Sequence, residues 1–121
     1  MEVVMIPGIR TYRAGTGVWI LALEGDHDVA TAASVRAAVV KATAAGTGVV
    51  VDLSAVTFMD SSIVRTLAEV GGDRLAVVVQ REGPAQRAAE VLGLGMVVPV
   101  YQSRIVACRE CGPGSLLVKD A

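Results

Sequence analysis

Three clusters of side chains in this sequence have types and spacing suited to chemistry. Asp60-Ser61-Ser62 sets two hydroxyls behind a carboxylate, where an apolar run gives way to helical spacing. Backbone N–H groups are unpaired at a helix start and the dipole is positive there. Ser61 therefore suits an N-cap and equally the reception of an anion. Asp26-His27-Asp28 flanks the only histidine with two carboxylates, and Cys108-x-x-Cys111 contains both cysteines.

Enzymatic readings of these clusters are weak. A Ser–His–Asp hydrolase would have to use His27, and there is neither a G-x-S-x-G elbow nor an evident oxyanion loop. Asp52, at the end of an apolar run, resembles the acceptor of a response-regulator receiver only superficially. The acidic pair and the lysine that such a site needs are not evident. The cysteine pair is too sparse for a four-ligand zinc site and lies outside any thioredoxin-type setting. It reads as two small apolar residues near a helix end. No Gly-rich phosphate loop is present, so no nucleotide hydrolase is expected, and no metal or cofactor.

The elements that must position these residues follow from the apolar pattern. The all-apolar run Val49, Val50, Val51, Leu53 reads as a strand buried on both faces. Ser54 to Asp60 reads as a seven-residue link, and Ile63, Val64, Leu67, Ala68 and Val70 show helical spacing. Upstream, Ile9 to Arg13 and Val18 to Glu24 form a hairpin across Ala14–Gly17. Gly25 to Ala30 is a loop before an Ala-rich helix from Thr31 to Ala45, capped by Gly46. Downstream come a strand at Leu75 to Val79 and a helix opened by Gly83-Pro84 and running to Leu92. Met96 to Tyr101 reads as a last strand, placed at a sheet edge because Pro99 cannot donate to a ladder. Ser103 to Glu110 reads as a final helix.

Strand–helix alternation after a hairpin predicts an α/β fold: one mixed, mostly parallel sheet with crossover helices. Sites in such folds form at the carboxyl ends of the strands. The loops at those ends carry Asp26, Asp28, Asp60, Ser61 and Ser62 toward one surface. At 121 residues the chain makes one domain, expected over residues 9–110, with an arm or short strand at 1–8 and a tail at 111–121. Hydrophobic residues make up 53% and aromatics 3%, so the core is built from Val, Ala, Leu and Ile. A net charge of −1 without a basic cluster argues against a nucleic-acid surface. No apolar stretch approaches the roughly 20 residues of a membrane span, and the N-terminus lacks a signal-peptide pattern, so a cytoplasmic protein is expected.

The run DLSAVTFMDSS resembles the phosphorylation-site segment of STAS-domain anti-sigma factor antagonists, roughly D-L-S-x-V-x-F-(I/L/M)-D-S-(S/T)-G-L. Leu23 to Ala32 resembles the same family's L-x-G-E-L-D-x-x-T-A segment, and the spacing of elements fits from about Ile9 to Glu110. The resemblance implies a STAS-type fold and a binding protein rather than an enzyme. It implies an antagonist that binds an anti-sigma serine kinase in a bacterial cell and is switched off by phosphorylation. A serine phosphatase restores it. The acceptor maps to Ser61, with Ser62 as the fallback, and Asp28 maps to the family's partner-binding loop Asp. Asp26, Asp60 and Ile63 complete the expected partner surface. Asp60 either stabilises the helix start or orients the Ser61 hydroxyl, and Thr31 starts its helix and no more. Ala55 and Ile63 stand where the family usually has Gly. Ile63 sets a β-branched side chain beside the acceptor, which keeps open a second reading: a STAS scaffold or ligand-sensing module without phosphorylation control.

Overall fold

The computed structural model describes residues 7–14, 17–45 and 48–111. Residues 1–6 of the expected arm at 1–8, the Gly46 cap, part of the hairpin link and all but the first residue of the expected tail at 111–121 lie outside the described residues. Five strands form one sheet in the order β1-β2-β3-β4-β5. β1 (Ile9–Arg13) pairs antiparallel with β2 (Trp19–His27), and β2, β3 (Val49–Met59), β4 (Leu75–Val78) and β5 (Val100–Tyr101) run parallel. The helices are α1 (Val29–Ala45), α2 (Ser61–Gly71), α3 (Pro84–Leu92) and α4 (Arg104–Cys111). The mixed α/β sheet expected from the alternation of elements is the one observed.

The two faces of the sheet are covered unequally. Val35, Val39 and Ala42 of α1 form a one-sided stripe at helical spacing, as do Ile63, Val64 and Leu67 of α2. With Ala85 and Ala89 of α3 they pack on Leu21, Leu23, Val51, Leu53 and Val77 in the larger core. Each fully buried Leu or Ile there contributes roughly 1.5–3 kcal/mol of transfer free energy. On the other face, among the described residues, the one helix is α4, which lays Ala107 and Cys111 over Val18, Ile20, Val50, Ala76 and Val78. A Cβ on Gly48 would collide with the Cys111 carbonyl oxygen, so the end of α4 lies directly on the backbone leading into β3.

The central strands are longer than the sequence pattern suggests. β3 continues through Ser54–Met59, expected as a link, and β2 continues through Gly25–His27. Between Ala22↔Asp52 and Glu24↔Ala55, β3 gains one residue on its partner, and between Gly25↔Val56 and Asp26↔Phe58 it gains another. Such bulges break the alternation by which a strand is read. Here the buried positions Leu53, Val56 and Met59 fall three apart. α1 accordingly starts at Val29 rather than Thr31. The expected strand Met96–Tyr101 shrinks to Val100–Tyr101, because Leu94–Met96 is a 3₁₀ turn set by left-handed Gly93. β5 is nonetheless the sheet edge, and the Pro99 carbonyl accepts from the Val77 amide at 2.9 Å.

Candidate functional site

The bulged β2–β3 pair delivers α1 and α2 side by side, with both amino ends at the carboxyl edge of the sheet. The Arg36–Glu69 ion pair ties the two helices together farther along. Asp60, rather than Ser61, caps α2. Its Oδ1 accepts from the Ser62 amide at 3.0 Å and from the Ser62 hydroxyl. The Ser62 hydroxyl foremost, against some desolvation, and then the amides of Ser62, Val29 and Ile63 hold the Asp60 carboxyl below its usual range. The Asp60 amide in turn donates to the His27 carbonyl at 3.3 Å. Ser61 becomes the first residue of α2 and is exposed, whereas Ser62 is half-buried.

Asp28 performs the same service for α1: its Oδ1 accepts from the Ala30 amide at 2.8 Å. Thr31, expected only to begin the helix, fixes this corner. Its hydroxyl oxygen accepts from the Asp28 amide at 3.2 Å and stands 3.0 Å from His27 Nδ1. His27 is 1% exposed. Its Nε2 lies 3.1 Å from the carbonyl oxygens of both Gly8 and Glu24. Carbonyls only accept, so Nε2 carries the proton and Nδ1 faces the Thr31 hydroxyl. A Cβ on Gly8 would stand 3.2 Å from that Nε2, and φ there is +78°, which a side chain would strain. His27 is thus a buried post joining the chain before β1, the end of β2 and the start of α1. Sealed and bonded at both nitrogens, it cannot serve as the base of a hydrolase.

Asp26 stands on the outward side of the ribbon, exposed, with its Oδ1 accepting from the Thr57 hydroxyl at 2.7 Å. Its register partner is Phe58, 53% exposed, and Val29 at the first turn of α1 is 75% exposed. Neither apolar residue follows from the sequence as a site residue. The signal was present, since Phe58 is the only phenylalanine and sits inside the motif. The structure therefore brings Asp28, Asp60, Ser61 and Ser62 to the paired helix starts, with Asp26, Phe58 and Val29 alongside. Ile63 is the exception. Its side chain is fully buried among α1, α2 and the sheet, so it offers nothing to a partner and leaves the Ser61 hydroxyl unobstructed.

The sequence matches the family model described as Mlab, STAS domain, over residues 11–99, which hold every one of these site residues. The chain belongs to the STAS domain family. An anti-sigma factor antagonist from Mycobacterium paratuberculosis is similar, with TM-score 0.67 and 28% identity over 89% of this chain and 98% of that one. A serine-to-glutamate variant of RsbS from Moorella thermoacetica aligns with TM-score 0.63 and 17% identity, over 92% of this chain and 97% of that one. The antagonist SpoIIAA in its unphosphorylated form aligns with TM-score 0.57 and 19% identity, over 84% and 94%. At such identities the last two speak for the fold alone. No curated protein matches the sequence.

Two further features of this STAS domain settle readings left by the sequence. Asp52 is buried in β3, its Oδ1 taking the Ser54 amide at 2.9 Å and its Oδ2 taking Arg104 Nε at 3.0 Å. Desolvation pushes its carboxyl up, but the bonds from Ser54 and Arg104 outweigh it and hold the carboxyl below its ordinary value. Arg104 also lies 5.3 Å over the Tyr12 ring. Asp52 is thus the anchor of α4, a role with no local pattern in the sequence. Cys108 and Cys111 are free thiols, and burial first, then the neighbouring Cys108, pushes the Cys111 thiol up to about 11. That is the wrong direction for a reactive thiolate. Among the described residues no cluster of three metal-ligating side chains occurs, and no helix is long and apolar enough to cross a membrane.

Proposed function

We propose that this STAS domain is an anti-sigma factor antagonist. It docks through the α1–α2 corner onto an anti-sigma factor that is a serine kinase, and phosphorylation of Ser61 switches it off. The observation that carries this is the division of labour between the two serines. The Ser62 hydroxyl is engaged by Asp60, while Ser61 stands exposed on the first turn of α2. Ser61 is therefore the acceptor, and Ser62 serves the cap. The 28%-identical antagonist supports the same role. Asp26, Asp28 and Asp60 form the charged part of the docking face, with Phe58 and Val29 as its apolar contacts. The kinase supplies ATP and Mg²⁺, a serine phosphatase reverses the mark, and the domain itself catalyses nothing. The setting is the cytoplasm.

The switch is electrostatic. A phosphoserine carries about −1.5 to −2 charge and is favoured at a helix amino end, so the fold survives it. Its charge joins the three aspartates at the interface. Like charges brought together on docking cost several kcal/mol, and each 1.4 kcal/mol is about tenfold in affinity. Incubation with the candidate kinase and ATP, followed by mass-spectrometric mapping, is expected to place the phosphate on Ser61 and to find none in Ser61→Ala. Binding measured alongside is expected to survive in Ser61→Ala and to fail in Ser61→Glu. The family model that matches the chain is a STAS domain, which also fits a second reading: a STAS scaffold or ligand-sensing module without phosphorylation control. Kinase binding that is indifferent to Ser61→Glu would leave that second reading standing.

A further inference from the structure

The opposite corner of the same sheet edge has the form of a small-molecule site. α3 follows β4 onto the face with the larger core, whereas α4 follows β5 onto the other face. Adjacent parallel strands whose connections leave to opposite faces open a crevice between their carboxyl ends, where α/β sheets bind ligands. A cleft of about 850 Å³ lies at that point, with Arg81, Glu82 and Gly83 after β4, Arg87 and Glu90 on α3, and Gln102 after β5. It is open to solvent, and its lining side chains are polar and mostly exposed. Arg81 reaches across the crevice, its Nη2 donating to Gln102 Oε1 at 3.0 Å. Neither Arg81 nor Arg87 is in an ion pair among the described residues.

We propose that this cleft binds a small phosphorylated polyhydroxy compound, such as a sugar phosphate. Two guanidiniums from different segments, Arg81 after β4 and Arg87 on α3, offer more donors than a carboxylate can use. A phosphoryl group, with three terminal oxygens, can accept from all of them. The Glu82 and Glu90 carboxylates would repel a bare anion and instead suit hydroxyl donors on the rest of the ligand. Glu90 already accepts from Gln86 Nε2 at 2.6 Å, so a polar network stands ready on that side. The site is independent of Ser61 and its partner.

The test is a titration of the full chain followed by amide NMR, with inorganic phosphate, glucose 6-phosphate and glucose as the probes. Saturable shifts are expected at residues 80–90 and at Gln102. Glucose 6-phosphate should bind about tenfold tighter than phosphate, and glucose alone should have no effect. Gly83→Asp separates binding from folding. A Cβ at Gly83 meets nothing closer than 4.0 Å, and Asp is at least as good an N-cap as Gly, so the thermal midpoint should hold or rise. The added carboxylate should nevertheless abolish phosphate binding, and Arg87→Gln should weaken it about tenfold. No saturation with either phosphate probe below about 10 mM, or binding that survives Gly83→Asp, would overturn the site. Equal affinity for phosphate and glucose 6-phosphate would overturn the role given to Glu82 and Glu90.

Discussion

The carboxyl edge of the sheet has two corners built on different plans. At the β2–β3 corner the strands are long and bulged, two helix starts meet, and Asp28 and Asp60 cap them with carboxylates. At the β4–β5 corner the strands are short, and the helices leave to opposite faces. α3 begins with Gly83-Pro84 and makes no side-chain cap. The first corner is filled, negative and flanked by exposed apolar side chains, a form suited to a protein surface. The second is open and carries two arginines and two glutamates, a form suited to a small ligand that bears both a phosphoryl group and hydroxyls. One sheet edge thus carries two different surfaces according to whether the helix starts are already satisfied from within.

Removing what lies under the filled corner should have the largest effect. Ile63→Ala takes a fully buried side chain from the core and is expected to cost about 2–5 kcal/mol in denaturant unfolding, without moving the phosphate from Ser61. Next comes charge at its surface: Ser61→Glu should weaken binding to the kinase about hundredfold, roughly 2.7 kcal/mol by titration calorimetry. The double variant Arg81→Gln/Arg87→Gln, at the other corner, should leave that affinity unchanged. Coupling between the two would break the separation of the corners. Phe58→Ala should cost about tenfold in the same affinity while barely altering stability, since the ring is half exposed. Asp28→Ala removes a helix cap and should lower stability by about 1 kcal/mol.

The smallest effect is one of pH. Asp60 has its carboxyl held below the ordinary value, so its contribution is complete above about pH 4, where the unfolded group ionises, and is lost as pH falls toward the lowered value. Asp60→Asn should lower stability at neutral pH, where the carboxylate's contribution is complete, and flatten the acid limb of the unfolding profile so that the two proteins converge at low pH. Asp52 acts in the same direction from beneath α4 and should preserve part of that acid sensitivity.

Local pattern was enough for the parallel sheet, the hairpin, the start of α3 at Pro84 and the gathering of Asp26, Asp28, Asp60 and the two serines at one edge. Strand and helix periods and glycine or proline boundaries are written into neighbouring residues, and the order of elements follows from them. Tertiary structure decided the rest. Two bulges, visible only against β2, made Ser54–Met59 a strand, and the helix start that follows set which serine bonds to the Asp60 cap and which stays exposed. Packing drew Ile63 inward and His27 into a sealed post between three segments. The Asp52–Arg104 pair joins residues that are distant in sequence, and the β4–β5 crevice exists because α4 turns to the other face. In each case the deciding free energy lies in contacts between segments, which no window of neighbouring residues contains.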